Sequence, residues 1–215
     1  MSEEHATVAE EEYLQVLYWL MEADMAMTAA NVGRAMQLSA PTVHEMVKRL
    51  EADGYLTRAA DKSLSFTESG LHEAETITRR HRMIERFLTD VLGIPWDEVH
   101  EEAERLEHAM SPVLEERMRA AIGGATTCPH GHPIVAGVRE RGSLLADVEL
   151  GGEVTVLRFE NEAEELLHYL RRAGLEPGLN GKVTISDDDR VVIESADGGH
   201  EVSRSVAETV SVRAD

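Results

Sequence analysis

In EEYLQVLYWLM, residues 11–21, apolar positions 13, 14, 17, 18 and 21 recur with the period of a helix that buries one face. A second helix is predicted from Thr28, a good N-cap, through AANVGRAM. After a break at Gln37-Leu38, Ser39 as N-cap and Pro41 in the first turn open a third helix, APTVHEMVKRL. It would bury Val43, Met46, Val47 and Leu50 and stop at Gly54. YLTRAADKSLSF then reads as two short strands around the turn AADK, the outline of a β-wing. Helix, helix-turn-helix and hairpin in that order predict a winged helix-turn-helix domain.

Beyond it, apolar Ile77, Ile84, Phe87, Leu88 and Val91 predict a long helix that starts after Thr67 and runs to about Leu92, ended by Gly93 and Pro95. HEEAERLEH at 100–108 gives another, and Ser111-Pro112 opens PVLEERMRAAI, closed by Gly123-Gly124. TTCPHGHPI, with two prolines and a glycine, is expected to be an irregular loop. From Gly142 the runs EVTVLRF, GKVTI, RVVIE and TVSVR alternate with Gly and Asp turns, with one helix, AEELLHYLRRAG, inserted. This is the pattern of a small β-barrel of about 70 residues. The fold class is therefore α+β.

A chain of 215 residues has room for two or three small domains, and 42% hydrophobic with 29% charged residues is a globular composition. The strongest apolar run, VLYWLM, meets Glu22 far short of the roughly 20 residues a membrane helix needs, so no membrane partner is expected. MSEEHATVAEEE has no apolar signal core, and a single cysteine fits a reducing compartment, so the expected location is the cytoplasm. A net charge of −20 points to a high-salt cytoplasm such as that of a halophilic archaeon, where self-repulsion is screened. Such acidity argues against nucleic acid until it is resolved along the chain. In residues 39–66, Lys48, Arg49, Arg58 and Lys62 balance Glu45, Glu51, Asp53 and Asp61, so this segment alone is neutral.

HEEAERLEH changes the picture most. With His100 as origin, Glu104 falls near 40°, Glu107 near 340° and His108 near 80° around a helix, all on one face. Val99, Ala103, Leu106 and Met110 form an apolar stripe beside it. An acidic face of this kind is often merely solvated. Carboxylates next to a burying stripe repel, however, unless a cation neutralises them. The preceding helix repeats the pattern with His81 and Glu85 at i and i+4. Oxygen and imidazole donors favour Mn²⁺ or Fe²⁺ over a structural zinc.

The motifs EEYLQVLYWL, SAPTVHEMVKRLEADGYL, RRHRMIERFLTDVLG, VHEEAERLEHAMS and CPHGHPI, in this order, resemble the diphtheria toxin repressor family of metal-dependent regulators over nearly the whole chain. The resemblance implies a winged helix-turn-helix domain at 1–72, a helical dimerisation and metal-binding domain at 73–140, and an SH3-like, FeoA-type barrel at 141–215. It implies a homodimer that places one winged helix in each major groove of a palindromic double-stranded operator. The implied primary metal ligands are Glu12, Glu104, Glu107 and His108. Iron-responsive members carry Met and Cys where Glu12 and Glu104 stand, whereas manganese-responsive members carry carboxylates, so Mn²⁺ leads and Fe²⁺ is second. A further acidic position of the manganese branch is Gln15 here. The ancillary site implied is either a pair of His with a Glu, here His81, His100 and Glu85, or a Glu with a Cys and a His of the later loop, here Cys128 and His130, completed by one of four carboxylates between Glu160 and Glu165. His132 reads as structural or exposed.

On the DNA side, Ser39 and Thr42 suit phosphates at a helix N-terminus. Ala40 and Pro41, by resemblance, touch base edges and thymine methyls. Lys48 and Arg49 lie farther along the same helix, Arg58 and Lys62 on the wing, and Glu45 replaces a glutamine of the founding member. The expected function is metal-activated regulation, most simply repression, of manganese or iron homeostasis genes, with no small organic substrate. Three rivals are a winged-helix regulator that senses an organic ligand and keeps a structural metal, a metallohydrolase, and a passive metal buffer whose DNA affinity does not change with metal. The second lacks any accompanying nucleophile or base motif, so no enzyme is expected.

Overall fold

The computed structural model describes residues 6–135, 137 and 139–214. It divides into two compact units, Met1–Arg80 with Glu107–Ala109, and His81–Leu106 with Met110–Asp215.

In the first unit, α1 (Val8–Glu22) opens with a capping box between Thr7 and Glu10 and buries Tyr13, Leu14, Leu17 and Tyr18. Thr28 Oγ1 accepts from Asn31 N at 3.2 Å to start α2 (Ala29–Ala35). Gln37 turns the chain with φ +55°, and Ser39 Oγ accepts from Thr42 N to start α3 (Ala40–Ala52). Val43, Val47 and Leu50 are fully buried, whereas Met46 is only half-buried. β1 (Leu56–Arg58) and β2 (Leu64–Phe66) pair antiparallel, Leu56 opposite Phe66, as the wing. α4 (Glu68–Asp90) can pass this hairpin because position 70 is glycine: a Cβ there would lie 1.9 Å from the Tyr55 carbonyl oxygen.

The second unit holds the rest of α4, most of α5 (His100–Glu107), and α6 (Pro112–Ala121). Met83, Ile84, Leu88, Val99, Ala103, Met110 and Ile134 form its helical core. The expected stripe through Leu106 is broken. Leu106 is 43% exposed while Glu107 is buried, because α5 ends at Glu107 and the heptad spacing does not continue to Met110. The remainder is a six-stranded antiparallel sheet in the order β3-β8-β4-β5-β6-β7. Its strands are β3 (Ser143–Leu144), β4 (Glu153–Phe159), β5 (Asn180–Ser186), β6 (Arg190–Ser195), β7 (Gly198–Ser203) and β8 (Val210–Ala214). Irregularities after Val156 in β4 and Val183 in β5 curve it. α7 (Glu164–Arg172) closes the barrel core with Leu167 and Leu170, and the short α8 (Arg204–Ala207) precedes β8. β7 escapes sequence reading because Gly198-Gly199 blunts its alternation.

The CPHGHPI loop is irregular as expected, and it is held tightly. Arg86 donates to the carbonyls of Thr127 and Cys128 at 2.8 and 2.7 Å, and Arg82 to that of Pro133 at 2.9 Å. Gly131, at φ +95°, lies so close to β4 that a Cβ would sit 2.0 Å from the Leu157 carbonyl oxygen. Trp96 packs into the barrel core, and its carbonyl accepts from His130 Nε2 at 2.8 Å. Among the described residues no helix is long and apolar enough to cross a membrane.

Candidate metal centre

Two turns of α4 place His81 and Glu85 one above the other, and α5 brings His100 to meet them. Glu85 Oε1 lies 3.0 Å from His81 Nε2, 3.1 Å from His100 Nδ1 and 3.2 Å from His130 Nδ1. Of the four carboxylates between 160 and 165, Glu162 joins this group: Oε2 is 3.2 Å from His100 Nδ1, and Oε1 is 3.5 Å from His130 Nδ1. Glu160 instead pairs with Arg139 and Arg158, while Glu164 and Glu165 begin α7. Donor atoms of His81, Glu85, His100 and Glu162 lie within 4.8 Å of one another, and so do those of Glu85, Cys128 and His130. The two ancillary sets offered by the sequence thus meet in one cluster, and the structure makes Glu85 common to both.

Electrostatics make this group unusual for a protein interior. Burial pushes the Glu85 carboxyl up, but the His130 and His81 rings outweigh it and hold it well below the usual carboxylate range. Glu162 is raised by burial and by Glu85, yet His130, His132 and His100 bring it well below the usual range. Burial lowers His100, but Glu162 and Glu85 raise it to about 10. His130 is likewise driven well above the imidazole range by Glu85 and Glu162 against its burial. Burial pushes the Cys128 thiol up to about 11. Protons on two rings therefore offset two buried carboxylates, which is the work a cation would do. The donor set fits a divalent metal for a second reason. Glu85 Oε2 and His130 Nδ1 are buried without a well-formed hydrogen bond. Because a carbonyl only accepts, the Trp96 contact keeps a proton on His130 Nε2 and directs Nδ1 into the cluster. His132 is buried, with Nε2 2.7 Å from the Phe159 carbonyl oxygen and 3.2 Å from Glu162, a bracing position. A cleft of about 310 Å³ lined by Glu98, Glu101, Glu102, Arg105 and Glu164 reaches His100, with Arg105 paired to Glu101 and Glu102.

The residues expected to form a primary site are arranged more sparsely. In the first unit His108 Nδ1 is 2.7 Å from Glu11 Oε2, and His108 Nε2 is 3.4 Å from Glu107 Oε1. Gln15 Nε2 donates to Glu107 Oε2 at 3.1 Å, both side chains being buried. Glu11, rather than Glu12, faces His108; Glu12 is exposed, as neighbours about 100° apart on a helix must diverge. Glu104 belongs to the second unit, half-exposed and 3.6 Å from His100 Nε2. The acidic run EEE signals a carboxylate on α1 but not which one.

On the winged helix, Ser39, Ala40, Pro41 and Thr42 are all exposed at the α3 N-terminus. The basic residues are mostly engaged. Arg58 donates to both oxygens of Glu51 at 3.1 and 2.7 Å, Lys48 lies 3.6 Å from Glu45, and Arg49 reaches Glu10 and Asp53. Lys62 is exposed at φ +69° in the wing turn, and no ion pair is seen for it among the described residues.

Three family models match successive segments of the chain. Residues 5–64 match the family model described as "Iron dependent repressor, N-terminal DNA binding domain". Residues 67–136 match "Iron dependent repressor, metal binding and dimerisation domain", and 144–214 match "FeoA domain". The Diphtheria toxin repressor of Corynebacterium glutamicum is 32% identical over 94% of both chains. Iron-dependent repressor IdeR of Mycobacterium bovis is 43% identical over 58% of this chain and 54% of its own, so the chain spans about half the length of such relatives. Among solved structures, a manganese-dependent transcriptional repressor in complex with manganese superposes with TM-score 0.86 at 28% identity, covering 96% of this chain and all of that one. T. acidophilum IdeR gives 0.79 at 27% identity over 98% of this chain and 100% of its own.

Proposed function

Since the chain belongs to the iron-dependent repressor family, that of the diphtheria toxin repressor, we propose that it is a metal-dependent, DNA-binding transcriptional regulator. It acts in the cytoplasm as a homodimer on palindromic double-stranded DNA, repressing genes of manganese or iron homeostasis, and it catalyses no reaction. The working domains are 1–72 for DNA, 73–140 for metal and dimerisation, and 141–215 as the barrel. The observation that carries this reading is a buried Glu85-centred cluster suited to a divalent cation in the same chain as a winged helix whose α3 N-terminus is exposed.

The ancillary ligands are His81, Glu85, His100 and Glu162, with Cys128 and His130 as the adjoining set. The primary ligands are Glu107 and His108 with a carboxylate of α1, Glu12 by resemblance or Glu11 by placement, and Glu104 by resemblance. Mn²⁺ leads because carboxylates stand at both discriminating positions, and Fe²⁺ is second. A bound cation would supply the positive charge that lets these carboxylates stay close. With them drawn together, α1 keeps a fixed seat beside residues 107–109 of its own unit, which favours the DNA-competent population. Ser39 and Thr42 meet phosphates, Ala40 and Pro41 base edges, and Lys48, Lys62 and Arg58 the backbone. With so few unpaired cations, counterion release contributes little to affinity.

The test is fluorescence anisotropy of duplexes selected for binding, at molar KCl, with chelated protein against Mn²⁺ and, anaerobically, Fe²⁺. We expect at least a tenfold tightening with metal, about 1.4 kcal/mol of coupling. Equal binding with chelator would transfer the case to a regulator of another ligand that merely carries a structural metal.

A further inference from the structure

Three consecutive glutamates open α1, and each has a different environment. Glu12 is exposed, Glu11 reaches His108, and Glu10 is buried to 3% exposure. Glu10 Oε2 accepts from both Thr7 N and Thr7 Oγ1 at 2.7 Å, completing the cap. Its Oε1 lies 2.9 Å from Arg49 Nε in the last turn of α3, and that nitrogen is also 3.5 Å from Asp53 Oδ2. Burying a carboxylate is costly unless it is paired, and Arg49 is the cation that pairs with this one. An exposed arginine on a recognition helix invites the reading of a phosphate contact. Here its Nε lies beside Glu10 Oε1 as an ion pair, without the geometry of a hydrogen bond, at the turn of α1 that also carries Glu11.

We propose that Glu10 and Arg49 form a strut that transmits the seat of α1 at His108 to the recognition helix, so that Arg49 is a positioning residue rather than a contact to DNA. The chain of contacts is short: His108 to Glu11 at 2.7 Å, one step along α1, then Glu10 to Arg49 at 2.9 Å. Adjacent helix positions differ by about 100°, so a single turn of α1 can face residues 107–108 with one carboxylate and α3 with the next. A small rotation of α1 at one contact must move the other. All four residues lie in the first unit. The alternative, a direct phosphate contact by Arg49, makes opposite predictions for Glu10.

The inference rests on the DNA-binding reading above, and its test separates the two. Mn²⁺-loaded full-length protein and the variants E10Q, R49Q, E10Q/R49Q and K62Q would be titrated against one selected duplex over a range of KCl. A strut predicts that E10Q and R49Q each weaken DNA binding by roughly tenfold. It also predicts that the double variant is no worse than the worse single one, and that the salt slope of R49Q equals wild type. K62Q, at a phosphate contact, lowers that slope by about one. Wild-type affinity in E10Q together with a reduced salt slope in R49Q would overturn the strut. A second measurement does not need DNA: urea unfolding of the same four-member cycle. Strong non-additivity of E10Q and R49Q supports the pair, while additive effects overturn it even where wild type binds no duplex and the function itself has failed.

Discussion

The two sets of candidate metal ligands differ in how closely their donor atoms are gathered. Around Glu85, donors from α4, α5, the 128–132 loop and the segment before α7 already converge within hydrogen-bonding distance, braced by Arg82, Arg86 and the Trp96 carbonyl. Around His108, among the described residues of its unit, two carboxylates are seen close by, those of Glu11 and Glu107. Preassembly lowers the ordering cost of binding but leaves little to be changed by it. A sparse site binds more weakly and couples binding to movement, because its ligands must be gathered. We propose on this contrast that the buried cluster holds a structural or permissive ion and that the His108 group is the sensing one.

The sharpest way to break this contrast is E85Q, since Glu85 belongs to both halves of the buried cluster. Loss of its charge should weaken metal binding there by at least about a hundredfold, roughly 2.7 kcal/mol, measured by equilibrium dialysis with the His108 group intact. Unchanged stoichiometry and affinity would show that the convergence has no bearing on metal. Next in size, G131A should destabilise the second unit by about 2 kcal/mol or more, read from urea unfolding. A Cβ there would collide with the Leu157 carbonyl at 2.0 Å and dislodge the loop that carries His130 and His132. On the sparse side, E11Q and E12Q can be compared directly. The carboxylate that serves as ligand should cost about tenfold in metal-stimulated DNA binding, and the other should be near neutral.

The smallest effect concerns the barrel. Buried Asp97 accepts from His168 Nδ1 at 2.7 Å and Arg171 Nη1 at 2.6 Å, tying α7 to the 96–98 segment. Burial raises the Asp97 carboxyl, but these hydrogen bonds leave it below its reference value of 3.8, while the hydrogen bond to Asp97 raises His168 above 6.5. The stabilisation from His168 is complete below 6.5 and is lost as pH rises through its raised value; that from Asp97 is present above 3.8 and is lost as pH falls through its lowered one. The difference in Tm between wild type and H168Q should therefore be largest near pH 5–6 and shrink toward pH 9. A difference that grows with pH would refute the pairing.

The winged helix was legible because its signals are local: Thr28 and Ser39 cap the helices they should, and Val43, Val47 and Leu50 keep a strict period. The buried cluster was half legible. His81 and Glu85 share a helix face by spacing, but Glu162 sits in an irregular segment with no period to separate it from Glu160, Glu164 or Glu165. Leu106 was misplaced because a spacing rule presumes that the helix continues, and α5 stops one residue later. Which of Glu10, Glu11 and Glu12 points where depends on the rotation of α1, set by packing of Tyr13, Leu14 and Leu17 rather than by the acidic run itself.

The contrast between the two ligand groups is tested most directly by titrating Mn²⁺ into chelator-treated protein while following bound metal by dialysis and DNA affinity by anisotropy in the same samples. The account predicts that the buried cluster fills first with little change in DNA affinity, which then rises with the later binding that H108A abolishes. A full rise in DNA affinity with the first ions bound, retained in H108A and lost in E85Q, would contradict it and make the Glu85 cluster the sensor.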